Sequence, residues 1–300
     1  MYERYLRLLG QDLRGIRMEI PFTKLHGNGN DFVMIDEHEK IIIPDDMKGQ
    51  FAAIYCDRRF GIGADGVIYL SKSEKSTLRM RILQPDKSEA EMCGNGIRCL
   101  AKYVYDNVMA AKDEIKVETL AGIKILKLFI RHGKVHKVRV NMGKPSLMRP
   151  QIPMKGPKGK VISEPLEAGG NQYLITCVSM GNPHTVIYVE NVSRFPVEKV
   201  GPVIENLPLF PKRTNVEFVQ VLSAQEVKMR TWERGAGETL ACGTGACAVC
   251  VAGVLNKKTA RSITAHLSGG DLELEWRQSD ASVYMTGPAA TVFTGEWKQD

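Results

Sequence analysis

The sequence predicts an α+β protein made of two homologous halves, and three observations lead there. Short alternating or β-branched stretches, separated by Gly, Asn and Asp, dominate the chain after residue 18 and read as strands and turns. Helical stretches are few, at residues 45–57, 94–111 and 243–256. The last two open with the same words, Cys93-Gly-Asn-Gly-Ile-Arg-Cys99 and Cys242-Gly-Thr-Gly-Ala-Cys-Ala248, set 149 residues apart.

Taken in order, strands are expected at 31–36, at 77–83, and over 114–142 as two or more hairpins. More follow at 173–189, 214–231, 262–277 and 282–297. The repeat extends beyond the cysteines. At the same offset Met80 and Arg81 match Met229 and Arg230, and Glu89 matches Glu238. Gly29-Asn30 followed by Met34-Ile35 returns as Gly181-Asn182 followed by Val186-Ile187. Solenoid repeats have periods of roughly 20 to 50 residues, so a repeat this long means two halves rather than an array. The Pro-, Gly- and Lys-rich stretch 146–165 reads as the linker, between a half at 18–145 holding Cys93 and a half at 166–300 holding Cys242. Residues 1–17, with Leu6, Leu9 and Leu13 at helical spacing among arginines, read as a dispensable or untranslated extension.

Composition removes several function classes. With 43% hydrophobic and 25% charged residues the chain is an ordinary globular one. Its longest apolar run, 246–255, is far short of the ~20 residues a bilayer-spanning helix needs, so no membrane partner is expected. The formal charge of +7 sits in two places: 1–17, and 144–160, which carries Lys144, Arg149, Lys155, Lys158 and Lys160 without an acid. The rest is balanced, and no nucleic-acid face is expected. Seven cysteines, an odd number without disulfide-dense spacing, point to a reducing compartment, the cytoplasm, where thiols stay available.

A Cys-Gly-x-Gly turn that opens an apolar helix has specific chemical uses. The first-turn N–H groups offer donors and positive potential to a carboxylate, and the same potential favours a thiolate at the helix start. Two such units acting together would cradle one carboxylate and put a sulfur on either side of its α-carbon. Removing the α-proton builds charge into that carboxylate, which the donors stabilise. One cysteine takes a proton as thiolate while the other returns one as thiol.

The competing readings fall to context. Cys56, Cys99, Cys177, Cys247 and Cys250 lack the repeated setting and read as small core residues. Cys242, Cys247 and Cys250 have C-x4-C-x2-C spacing, as in iron–sulfur ligands, but no later cysteine completes the set and the segment reads as a buried helix. Gly61-x-Gly63-x-x-Gly66 spells a dinucleotide fingerprint in reverse order, after a helix and before a strand. No metal ligand set is expected.

Six motifs in order resemble the diaminopimelate epimerase family: His26-Gly-Asn-Gly-Asn-Asp-Phe32, Met92-Cys-Gly-Asn-Gly-Ile-Arg98, Gly181-Asn-Pro-His184, Thr214-Asn-Val-Glu217, Glu233-Arg-Gly235 and Ala241-Cys-Gly-Thr-Gly245. The resemblance runs from about residue 20 to the C-terminus. It implies two pseudo-symmetric halves, each a mostly antiparallel β-structure round a central helix, with substrate between them. It also implies epimerisation of LL- to meso-2,6-diaminoheptanedioate for lysine and peptidoglycan precursors, with no pyridoxal phosphate, metal or other cofactor, by a homodimer. Carried over by position, Cys93 and Cys242 are acid and base, with His184 and Glu233 beside them tuning the thiols. Gly94, Asn95, Gly243 and Thr244 hold the reacting carboxylate; Asn30, Asn182 and Asn215 bind substrate, with Glu233 also in that set; Arg234 holds the distal carboxylate. Where the family commonly has Asn-Ala-Asp-Gly, this chain has Gln84-Pro-Asp-Lys87, so Gln84 takes an asparagine's place with one more methylene. The reading from another class is a non-catalytic binding or redox protein that uses the cysteines as a thiol–disulfide switch, which retention of both Gly-x-Gly turns and of Glu233-Arg234 argues against.

Overall fold

In the computed structural model, which describes residues 19–107 and 112–298, strand β1 (Glu19–Gly27) turns back into β2 (Asn30–Asp36). The expectation for residues 1–17 lies outside the described residues. Asn28 and Gly29 make the turn with φ of 54° and 81°, the left-handed pair that a two-residue hairpin needs and that Asn-Gly adopts most readily. Helix α1 (Lys48–Tyr55) carries the chain across to β3 (Gly66–Lys72), parallel to β2. β4 (Leu78–Leu83) runs back against β3, and the short β5 (Glu89–Ala90) runs back against β4. Helix α2 (Gly94–Asp106) then crosses to β6 (Glu114–Thr119), parallel to β4. β7 (Gly122–Arg131) pairs with β6, and β8 (Lys134–Gly143) follows.

The second part retraces this path. β9 (Glu164–Ala168) and β10 (Asn171–Ser179) form a hairpin, and β10 continues antiparallel into β11 (Pro183–Tyr188). Helix α3 (Val197–Glu205) crosses to β12 (Asn215–Ser223), parallel to β11; β13 (Glu226–Glu233) and β14 (Gly237–Thr239) follow antiparallel. Helix α4 (Gly243–Leu255) crosses to β15 (Ser262–Leu267), parallel to β13, and β16 (Gly270–Trp276) and β17 (Val283–Gly287) complete the meander. Last, β18 (Ala290–Lys298) lies antiparallel on β1.

The sequence repeat is thus a topological repeat, down to side chains. Arg81 donates to both oxygens of Glu89, at 2.8 Å each, and Arg230 does the same to Glu238 at 2.6 and 2.7 Å. Each fork ties a long strand to the short strand that leads into the cysteine turn, so both cysteine helices start from a braced edge.

Two compact units result: the described residues of Met1–Val138 with those of Ala289–Asp300, and Arg139–Pro288. The division falls within β8, where the sequence suggests a linker at 146–165. That stretch is packed instead. Ile152 and Val161 are buried in the second unit's core, and Ser146 and Met148 bridge to Ser179 and Lys160. The last strand also belongs with the first unit, held there by its register on β1 and by Trp297, whose ring meets Tyr55 edge-on at 5.3 Å.

Each cysteine helix is the centre of its unit. α2 packs against β1, β2, β3, β4, β7 and β18, and α4 against β10, β11, β12, β15, β16 and β17. From Ala246 to Ala252 every residue of α4 is buried, so the helix is apolar on all sides. α2 leaves one side at the surface, where Lys102 pairs with Asp106 one turn on at 2.7 Å. Helix α3 has no counterpart in the sequence reading. Its Gly201 and Pro202 read as helix breakers, yet a Cβ at Gly201 would lie 2.5 Å from the Trp232 ring, so close packing demands the glycine. No helix among the described residues is long and apolar enough to cross a membrane.

Candidate functional site

In the first unit Cys93 is the N-cap of α2. Its backbone is extended, and its sulfur accepts the Gly96 N–H at 3.5 Å, as a capping oxygen would elsewhere. The thiol lies 3.6 Å from Asn30 Oδ1, which also accepts from Asn95 Nδ2 at 3.1 Å. Asn30 comes from the start of β2, so the hairpin turn delivers it to the helix start. Its amide is held from the other side by Asp65, whose carboxylate accepts from Asn30 Nδ2 at 2.7 Å. Asp65 is a residue that the sequence reading does not single out, and nothing local distinguishes it from a turn aspartate. Arg58 bonds both Asp65 and Asp31, and Lys24 pairs with Asp31 at 2.7 Å. Burial opposes the Asp31 charge, but Arg58 and Lys24 more than offset it and draw the carboxyl down to about 2. Gln84 stands apart, exposed in the turn after β4, with the Ser88 hydroxyl donating to its Oε1 at 2.9 Å.

In the second unit Cys242 is the N-cap of α4, again with an extended backbone, and is buried. Its sulfur is 3.6 Å from Thr244 Oγ1, which accepts from Asn182 Nδ2 at 3.3 Å. Asn182 Oδ1 faces His184 Nε2 at 2.9 Å, and His184 Nδ1 faces Glu217 Oε1 at 2.7 Å, with both His184 and Glu217 at 0% exposure. One chain of contacts therefore links thiol, hydroxyl, amide, imidazole and carboxyl. Burial first, then the charge of Glu233, pushes the Cys242 thiol well above its ordinary range. Glu233, at the end of β13, accepts from Thr239 Oγ1 at 2.5 Å.

Asn215 is buried at the start of β12 and works on backbone. Its Nδ2 donates to Pro183 O at 2.8 Å, and its Oδ1 accepts the Arg234 N–H at 2.9 Å. That bond fixes the turn carrying Arg234. The Arg234 side chain is exposed, bonds the Lys212 carbonyl at 2.9 Å, and pairs with no carboxylate among the described residues. An arginine left with donors to spare suits an anionic ligand.

The glycines serve close approach. None of Gly94, Gly96, Gly243 and Gly245 has a positive φ. A Cβ at Gly96 would meet Ile82 Cδ1 at 3.1 Å, and one at Gly245 would meet Glu217 Oε1 at 2.7 Å and the Cys242 sulfur at 3.3 Å. The first-turn N–H groups of α2 and α4 have no acceptor within their own helices, so each unit offers a donor set beside a thiol. The five remaining cysteines are buried and take part in no disulfide. Burial pushes the thiols of Cys56, Cys99, Cys177 and Cys250 up to about 12, which removes them from acid–base work near neutrality.

The chain is similar to proteins already known. A profile of the family described as diaminopimelate epimerase matches residues 22–148 and 176–292. The diaminopimelate epimerase of Pelotomaculum thermopropionicum is 56% identical over 276 residues, covering 92% of this chain and 98% of the relative. That of Methanococcus maripaludis is 51% identical over 276 residues, covering 92% and 98%. Among solved structures, a PhzF-family phenazine biosynthesis protein of Bacillus anthracis superposes with a TM-score of 0.69 at 14% identity, over 93% of this chain and 99% of the other. A probable proline racemase of Agrobacterium radiobacter, solved with bound carbonate, also gives 0.69 at 14% identity, over 94% and 93%. At these identities the structures speak for the α+β fold alone.

Proposed function

The chain belongs to the diaminopimelate epimerase family, which interconverts LL- and meso-2,6-diaminoheptanedioate in lysine biosynthesis, and from that premise we propose that Cys93 and Cys242 are its paired acid and base. What carries the proposal is the repetition. Each unit caps its central helix with a cysteine at the same Gly-rich turn, and no other cysteine among the seven has that setting.

The chemistry follows from each half-site. A thiolate removes the α-proton, the electron pair moves into the adjacent carboxylate, and the helix N–H groups at Gly94, Asn95, Gly243 and Thr244 stabilise the charge that collects there. The second thiol delivers its proton to the opposite face of the carbon and becomes the thiolate for the reverse reaction. Burial and Glu233 favour the protonated form of Cys242, which makes it the resting acid and leaves the base role to Cys93. Asn30, Asn182 and Asn215 place the amino acid, and Arg234 takes the distal carboxylate. Gln84, in the place of the family's asparagine, is assigned to the substrate on family likeness alone. Glu233 sets the charge near Cys242, and His184 holds Asn182 beside it.

Every step is a proton transfer between sulfur and carbon, so the proposal includes no pyridoxal phosphate and no metal. Both cysteines must be reduced, which favours the cytoplasm. A homodimer and a second use of the product in peptidoglycan precursors are proposed on family likeness, and light scattering in solution tests the former.

The direct test is incubation of reduced protein with LL-diaminoheptanedioate in deuterium oxide, with no added cofactor. Loss of the α-proton signal together with formation of the meso isomer is expected, and its absence would rule the proposal out. Cys93→Ser and Cys242→Ser should each lower turnover by about 100-fold or more.

A further inference from the structure

Glu217 lies within a motif that marks the family, yet the chemistry above leaves it without a task, and its surroundings are unusual. It sits on β12 with no exposed surface, and its Oε2 has no hydrogen-bond partner. The groups that face it come from four elements: His184 on β11, Cys242 at the start of α4, Glu233 on β13 and Cys177 on β10.

The proton inventory can be worked out from the contacts. Asn182 uses its NH2 group on Thr244 Oγ1, which leaves Oδ1, a pure acceptor, towards His184 Nε2. Nε2 therefore carries a hydrogen. The contact of 2.7 Å between Nδ1 and Glu217 Oε1 needs one more proton, held by either the ring or the carboxyl. Three observations favour the carboxyl. An ionised Glu217 would bury charge on an oxygen that nothing bonds, whereas a neutral acid leaves only a carbonyl unmet. Burial raises the Glu217 carboxyl above its ordinary value against the opposing pull of His184, and Glu233 adds a second negative charge nearby.

We propose that Glu217 is the positioning residue of this half-site: it donates its carboxyl proton to His184 Nδ1, which keeps the ring proton on Nε2 and turns the Asn182 NH2 towards Thr244. The inference rests on the epimerase reading only in giving Asn182 and Thr244 to the substrate. A neutral Glu217 also leaves Glu233 as the acid whose charge acts on Cys242. The arrangement resembles other buried sites in which a carboxyl group sets a histidine tautomer, with the proton placed on the acid.

The test uses the intact protein labelled with ¹⁵N-histidine, and two-bond ¹H–¹⁵N spectra recorded over roughly pH 5 to 8, where an unconstrained imidazole changes its charge. The His184 signals are assigned by their loss in His184→Gln. Expected is a neutral ring with Nε2 protonated across the range. An imidazolium, or a ring protonated at Nδ1, overturns the proposal. These spectra need no turnover, so they stand or fall separately from the epimerase reading. With LL-diaminoheptanedioate, Glu217→Leu should raise KM about tenfold or more with a smaller change in kcat, while Glu217→Gln, whose carboxamide NH2 can still donate to Nδ1, restores most of that loss. Equal impairment of the two variants would count against positioning through the hydrogen bond.

Discussion

Gly245 lies so close to Glu217 that a Cβ on the glycine would stand 2.7 Å from the Glu217 carboxyl oxygen. The glutamate cannot retreat, because it is fully buried and bonded to His184. Gly245→Ala should therefore cost about 2 kcal/mol. At the equivalent place in the first unit, Gly96→Ala would press on the methyl ends of Ile82 and Ile68, which can yield, and touch the Phe32 ring at 3.4 Å, an ordinary contact, so it should cost about 1 kcal/mol or less. Urea unfolding midpoints of the two variants check this, and a reversed order would exclude close approach as the reason for the glycine.

Cys242 and Cys93 should react unequally. Near neutral pH, iodoacetamide is expected to label the partly exposed Cys93 first and to spare Cys242, which is buried and held as a thiol. Removing the charge of Glu233 favours the Cys242 thiolate, so Glu233→Gln lowers that thiol's pKa. The alkaline limb of kcat/KM should then move to lower pH and Cys242 labelling should speed up. A limb that stays in place would mean that the Glu233 charge does not reach the sulfur.

Arg234 should act on binding. Its guanidinium is exposed and pairs with no described carboxylate, so Arg234→Ala should leave the unfolding midpoint unchanged while raising KM for diaminoheptanedioate by about 10- to 100-fold. A KM equal to wild type would remove Arg234 from the distal carboxylate.

Asp31 ties the β1–β2 hairpin to Arg58 and Lys24, and its carboxyl is drawn down to about 2 from an ordinary 3.8. A depressed folded-state pKa gives stability that is present above the unfolded value and lost as pH falls through the folded one. Wild type should therefore exceed Asp31→Asn in thermal midpoint at neutral pH, with the gap closing as pH drops from about 4 towards 2. A gap independent of pH would point to packing rather than charge.

Much of this was legible in the chain. Alternation is local, so the strand expected at 31–36 follows from neighbouring residues and is found as Asn30–Asp36, whereas β1 and its turn at Asn28–Gly29 were not among the expected elements. The two Cys-Gly-x-Gly helix starts are local as well, and their repetition marked Cys93 and Cys242 among seven cysteines. Helix α3 was not legible, because Gly201 and Pro202 carry the wrong propensity and only the Trp232 ring explains the glycine.

What the sequence determined alone was most of the elements, their repetition and the placing of two cysteines at Gly-rich helix starts, since each depends on contacts between near neighbours. Tertiary structure decided the rest. Residues 146–165 joined a core instead of linking two, and the last strand went back to β1, because both depend on burial and pairing across long stretches of chain. Glu217 belongs to the same class. In a strand buried on both faces, alternation no longer tells an inward acid from an outward one. Only the folded unit puts its carboxyl against His184 and beneath Gly245.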